Sequence, residues 1–193
     1  MTLIDSRPAI MAAWAALASE TGTPIDLAEA DTRLGIKLED EAAHWFPAAE
    51  LDRAVAIYRR HYVQLAPRLT RAMPGMHEAM AAVRAAGESA VIVTAKHPIS
   101  VRPSLDAVGL DADQVFTDVH GPQKAEVLTR IRAAVYVGDT PADMTAAITA
   151  GAWPVGVPTG SFTGPDLTAA GASVVLTSLH DFAPAYTTWR SHP

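Results

Sequence analysis

Ala134-Val-Tyr-Val-Gly138-Asp139-Thr140-Pro141-Ala-Asp143-Met-Thr-Ala-Ala147 is the stretch that decides the fold. Its first half reads as a short buried strand, β-branched and apolar, ending at Gly138. Pro141 then opens an Ala-rich helix, where its missing N–H costs nothing because the first N–H groups of a helix have no internal partner. Gly151 closes that helix at the position that tolerates a left-handed backbone. Asp139 therefore stands in the turn between strand and helix, and Asp143 follows one helical turn later. Open α/β sheets bind their ligands beyond the carboxyl ends of the strands, which is where both carboxylates fall.

Two carboxylates close together are poor neighbours unless a cation sits with them. Ligands that are all oxygen point to a hard cation such as magnesium. The plainer alternative makes Asp139 a helix cap and Asp143 a solvated first-turn carboxylate favoured by the helix dipole. The rest of the chain weighs against that alternative.

The chain of 193 residues suits one domain with an appendage, or two small ones. Apolar residues make up 49%, which marks a globular protein. The net charge of −6, with no basic block, argues against a nucleic-acid binder. With no cysteine, disulfides and thiolate metal sites are excluded. The start, Met-Thr-Leu-Ile-Asp-Ser-Arg-Pro, lacks the basic and apolar regions of a signal peptide. The apolar run at Val91–Val93 is too short to span a membrane. A cytoplasmic protein without membrane partners is the expectation.

Residues 5–73 read as helical. Ile10, Met11, Trp14, Leu17 and Ala18 mark one apolar face, and Leu51, Val55, Tyr58, Tyr62 and Leu65 another, with Pro67 expected to end the second helix. Shorter helices are expected near 27–34 and 38–45. The texture changes at Met73-Pro-Gly. A helix to Ala86 is followed by a strand at 89–93, a helix at about 100–108, a short strand at Val115-Phe116 and a helix at 122–132. After the opening stretch come strands near 154–157 and 173–176. Pro103 is expected in the first turn of its helix. Strands alternating with helices give a parallel sheet covered on both faces. The predicted division is a helical domain over 1–73 and an α/β domain over 74–193.

Thr94 ends one strand, where its hydroxyl and the following N–H groups could hold an oxyanion. Lys124 lies close to a helix N-terminus, where it does nothing for that helix electrostatically. With Asp139 and Asp143, these residues suit phosphoryl transfer, which depends on positioning and on neutralising the phosphoryl oxygens. Singly, Thr94 reads equally well as a cap and Lys124 as a surface lysine; the ordered series along the chain argues for a site. His44, His61, His77, His97, His120, His180 and His192 form no metal-ligand spacing and are assigned no role.

The chain resembles the haloacid dehalogenase-like superfamily, in its phosphoglycolate-phosphatase-like branch with a helical cap. Val91-Ile-Val-Thr94-Ala-Lys96 resembles the second motif, whose Thr holds phosphate. Lys124 stands where the third motif's lysine belongs. Gly138-Asp139-Thr-Pro-Ala-Asp143, followed by Ala150-Gly151, resembles the fourth and most specific motif. The resemblance implies a Rossmann-like parallel-sheet core with a helical cap over 1–73. It implies a hydrolase of small phosphorylated metabolites, with magnesium bound at Asp139 and Asp143 supporting the metal site. Thr94, Lys124 and Asp139 would be the catalytic set. A mutase shares this chemistry; a dehalogenase uses no such metal.

The family's first motif, a strand ending Asp-x-Asp, has no counterpart. Thr2-Leu3-Ile4-Asp5-Ser6 resembles the stretch just after it, so residues 1–6 read as its remnant. The nucleophile and the acid–base Asp would lie upstream of Met1, and the missing strand would be central in the sheet. The expectation is an N-terminally truncated chain, inactive as given. The alternative is a non-catalytic phosphate- or partner-binding protein of the same fold.

Overall fold

Alternating apolar segments and helix caps set out seventeen regular elements in a computed structural model that describes residues 1–191. In chain order they are β1 (Ile4–Asp5), α1 (Arg7–Thr21), α2 (Leu27–Thr32), α3 (Leu38–Trp45), α4 (Leu51–Leu69), β2 (Arg71–Ala72), α5 (Met76–Ala85), β3 (Val91–Val93), α6 (Pro98–Asp106), β4 (Gln114–Phe116), α7 (Gln123–Ile131), β5 (Val135–Gly138), α8 (Pro141–Thr149), β6 (Trp153–Gly156), α9 (Gly164–Ala169), β7 (Val174–Val175) and α10 (Phe182–Ser191). His192 lies outside the described residues. No described helix is long and apolar enough to cross a membrane. The described residues form two compact units, one of residues 6–71 and 97–109, the other of 1–5, 72–96 and 110–191.

In the helical unit, α1 lays Ala9, Ala13, Trp14 and Leu17 against Ala54, Val55, Tyr58 and Tyr62 of α4. The Trp14 and Tyr58 rings meet across the two helices with 4.7 Å between centroids. Pro67 does not end α4, which runs on to Leu69. The ring removes one hydrogen bond, but the next turn closes normally, with Thr70 N–H on the Ala66 carbonyl at 3.0 Å. Helix α6 starts at Pro98, capped by His97, whose Nδ1 accepts from the Ile99 N–H at 3.4 Å. Pro103 is thus inside the helix rather than in its first turn, a correction to the sequence reading. Helix α6 packs by its contacts on α4. The buried Tyr62 hydroxyl lies 2.9 Å from Ser104 Oγ, which itself donates to the Ser100 carbonyl at 2.8 Å. The Tyr62 O–H is therefore the donor of that pair.

The other unit is α/β. Strand β3 pairs in parallel with β4, Ile92 opposite Val115. Strand β5 pairs in parallel with β6, and β6 with β7. Among the described residues, β3 and β5 each have one partner strand only. Their burial differs from that of β6 accordingly. Pro154, Val155 and Gly156 of β6 are buried, whereas every residue of β3 and Val135, Tyr136 and Val137 of β5 are only half-buried. Apolar parallel strands are normally buried along their length. Val93 and Tyr136 pack against one cluster formed by Ala125 and Leu128 of α7 and Ala146 of α8. One helical layer thus covers both open strands on one face.

Helix α10 is absent from the sequence reading. Its signal was Phe182, Tyr186 and Trp189 at helical spacing. These rings stack in sequence, 5.2 and 5.9 Å between centroids, and Trp189 continues onto Trp153 at 5.5 Å.

Leu128 is 1% exposed within the cluster under β3 and β5. Leu128→Ala is expected to cost about 2–5 kcal/mol, since the surrounding helices cannot fully close the cavity. Urea denaturation with an unchanged m-value checks this.

Candidate functional site

Gly138 ends β5 because no side chain fits there. A Cβ at that position would lie 2.2 Å from Asp143 Cβ. Thr140 then caps α8, its hydroxyl accepting from the Asp143 N–H at 3.1 Å, with Pro141 in the first turn. The cap is therefore Thr140 and not Asp139. Asp139 is left with its carboxylate free of helix duties and 8% exposed.

Asp139 Oδ1 accepts from the Thr2 hydroxyl at 2.8 Å, and Oδ2 is paired with the Met1 ammonium. The backbone of Gly160 comes up against the same oxygen: a Cβ at residue 160 would lie 2.2 Å from Asp139 Oδ2. Asp143 is engaged differently, with both oxygens turned to protein donors. Oδ1 receives Lys124 Nζ at 2.6 Å and the Tyr136 hydroxyl at 3.2 Å, and Oδ2 receives the Thr140 hydroxyl at 2.8 Å.

Lys124 is the second residue of α7, where the helix dipole costs a cation about 0.3–1 kcal/mol. A charge-assisted hydrogen bond contributes about 1.5–3 kcal/mol, so the pair with Asp143 decides its position. Burial, then the Asp143 carboxylate, then Asp139, push the Tyr136 phenol well above its ordinary range. The phenol stays a donor.

Thr94 follows β3 and extends its ladder. Its N–H donates to the Phe116 carbonyl at 2.9 Å, and its own carbonyl accepts from the Val119 N–H at 3.0 Å. Its Oγ accepts from the Lys96 N–H at 3.2 Å, which leaves the O–H available to donate. The structure brings Lys124 and Asp143 into contact. Thr94 and Asp139 stand after the carboxyl ends of β3 and β5, and their hydrogen bonds go to other groups than that pair.

The chemistry of the donor set can be weighed for a hard cation. Asp139 has the chemistry of a direct ligand: a carboxylate that is 8% exposed and is not used to cap α8. Both oxygens of Asp143 are taken by protein donors, Lys124 and Tyr136 on Oδ1 and Thr140 on Oδ2. Among the described residues no group of three or more acidic or histidine side chains converges on one point. Tyr136, Thr140 and Gly160 were not singled out in the sequence. Tyr136 alone carried a signal, because a phenol inside an apolar strand needs a hydrogen-bond partner.

The family model described as haloacid dehalogenase-like hydrolase matches residues 1–147, and a second, HAD-hydrolase-like, matches residues 122–182. No curated protein matches the sequence. Solved structures share the fold. A haloacid dehalogenase-like family hydrolase from Streptococcus pneumoniae matches with a TM-score of 0.79 at 19% identity, over 96% of this chain and 93% of that one. A predicted phosphoglycolate phosphatase from Haemophilus somnus gives 0.82 at 18% identity, over 95% and 93%. CbbY from Rhodobacter sphaeroides, solved in complex with phosphate, gives 0.79 at 17% identity, over 93% and 91%.

Lys124→Met leaves the Asp143 carboxylate buried without its ammonium, and is expected to cost about 3–5 kcal/mol. Thermal unfolding at neutral pH measures it. The four tyrosines provide a second check. Burial raises Tyr58 as it does Tyr136. A folded-state pKa above the unfolded value of about 10 gives stability that is complete below pH 10 and lost as pH rises further. Absorbance titration is expected to show Tyr58 and Tyr136 ionising only with unfolding.

Proposed function

The chain belongs to the haloacid dehalogenase-like hydrolases, and on that premise we propose that it is a magnesium-dependent phosphomonoesterase of small phosphorylated metabolites, phosphoglycolate being one such ester. The observation that supports the reading is the pair of a half-buried Lys124 Nζ and a buried Asp143 Oδ1 at 2.6 Å, on the helices that follow β4 and β5. A fixed ammonium, a hydroxyl at Thr94 and a buried carboxylate at Asp139 are the groups a phosphate ester and its counter-ion require.

In this reading Thr94 donates its O–H and nearby N–H groups to non-bridging phosphate oxygens. Lys124 neutralises a further oxygen and is kept in place by Asp143, with Tyr136 and Thr140 holding that carboxylate. Asp139 would hold the magnesium ion, which neutralises charge on the phosphoryl group. A side chain at residue 160 would collide with Asp139 Oδ2, which is why glycine stands there. Hydrolysis breaks the bond between phosphorus and the ester oxygen, which leaves as the alcohol with a proton. Water then takes the phosphoryl group from the enzyme carboxylate to give inorganic phosphate, and supplies that proton in balance. The carboxylate that first takes the phosphoryl group is assigned to a further parallel strand seated between β3 and β5. The half-buried apolar faces of those two strands and their shared α7 cover support that seat.

The test is phosphate release from a panel of small esters, with magnesium and with EDTA. It uses the 193-residue chain and a form lengthened by the codons preceding Met1. Turnover is expected only from the lengthened form and only with magnesium. Asp139→Asn in that form is expected to lower kcat/KM at least about 100-fold. Turnover by the 193-residue chain alone contradicts the strand assignment. Two folded but inactive forms favour a phosphate- or partner-binding protein without catalysis.

A further inference from the structure

The loop between β4 and α7, residues 117–122, is held on both sides. Asp118 takes a left-handed backbone, φ 58°, and its N–H donates to the Lys96 carbonyl at 2.9 Å. Val119 N–H donates to the Thr94 carbonyl at 3.0 Å. His120 N–H donates to Gln123 Oε1 at 3.1 Å, and Lys124 N–H to the Gly121 carbonyl at 3.1 Å. The loop is thus bonded to Thr94 at one end and leads into the turn of Lys124 at the other. His120 stands between the two.

The His120 ring is fixed as well. Its Nε2 lies 3.1 Å from Asp118 Oδ1. A carboxylate only accepts, so Nε2 carries the proton. In the neutral ring the lone pair is then on Nδ1, and Nδ1 has no partner among the described residues. The ring is 31% exposed and belongs to neither core cluster. A hydrogen bond this exposed contributes little to stability. Its effect is to set the tautomer and aim of the imidazole, as second partners of histidine do elsewhere.

We infer that His120, oriented by Asp118, is a specificity-determining residue whose Nδ1 accepts a hydrogen bond from a hydroxyl on the alcohol portion of the substrate. The preferred ligand is then a phosphorylated polyol over an ester of a plain alcohol. This rests on the phosphomonoesterase reading, in which Thr94 and Lys124 hold the phosphate. Asp118 acts through His120 and is a positioning residue.

Calorimetric titration of the folded protein, with magnesium present, tests the inference. The probes are inorganic phosphate, glycerol 3-phosphate and propyl phosphate. Glycerol 3-phosphate is expected to bind about tenfold tighter than propyl phosphate, a difference of one good hydrogen bond. His120→Ala is expected to reduce that margin below about twofold, with the affinity for inorganic phosphate and the melting temperature unchanged. Asp118→Asn, which no longer fixes the tautomer, is expected to give an intermediate margin, and His120→Gln, which restores an acceptor, to recover part of it. A margin that survives His120→Ala overturns the inference. So does a wild-type protein that binds both esters equally. Phosphate binding with no margin separates this failure from that of the underlying reading, which would show as no phosphate binding at all and would remove the inference with it.

Discussion

A carboxylate that is 4% exposed at its side chain cannot be left alone, and the α/β unit is arranged around that fact at Asp143. Desolvating an ion costs several kcal/mol unless partners replace its water. Here the partners come from three elements: Lys124 from α7, Tyr136 from β5, and Thr140 from the turn that starts α8. One buried charge therefore locks the helix after β4 to the strand and helix that follow. The same bonds explain why Gly138 is a glycine and why a lysine occupies the start of a helix. Asp139, four residues earlier, takes no part in those bonds; its oxygens meet the Thr2 hydroxyl and the Met1 ammonium instead.

The sheet depends on α7 in a second way. Among the described residues the two parallel groups of strands meet no common strand, yet Val93 and Tyr136 rest on the same helical cluster. The strands flanking the opening are rich in Val and Ile and remain half-buried, which leaves apolar surface and unpaired backbone along two edges. Edges of that kind are a liability unless something covers them. A further strand at this position would bury both edges and bring a third group of side chains to the carboxyl end, between Thr94 and Asp139.

Local chemistry made much of this legible in the sequence. The strand, turn and helix around Asp139 follow from a β-branched run, one glycine and one proline, all within fourteen residues. The odd placement of Lys124 was visible because a dipole disfavours it. The features that were not legible are set by distant contacts. Pro67 and Pro103 sit inside helices because packing of α4 against α1 and α6 outweighs one lost hydrogen bond each. The aromatic spacing of helix α10 is regular, but its rings are ordered by stacking onto Trp153, in a strand some thirty residues away in the chain. The role of Tyr136 in holding Asp143 could not be read from a strand pattern, which gives its face but not the partner of its hydroxyl.

The central claim is that phosphate and a hard cation meet at the carboxyl ends of β3 and β5. Amide NMR of the protein titrated with inorganic phosphate, with and without magnesium, addresses it most directly. The account predicts shifts concentrated at Thr94 through Lys96, at Lys124, and at Asp139 through Thr140, with tighter phosphate binding when magnesium is present. Shifts confined to other surfaces, or phosphate binding indifferent to magnesium with Asp139 unmoved, would contradict it.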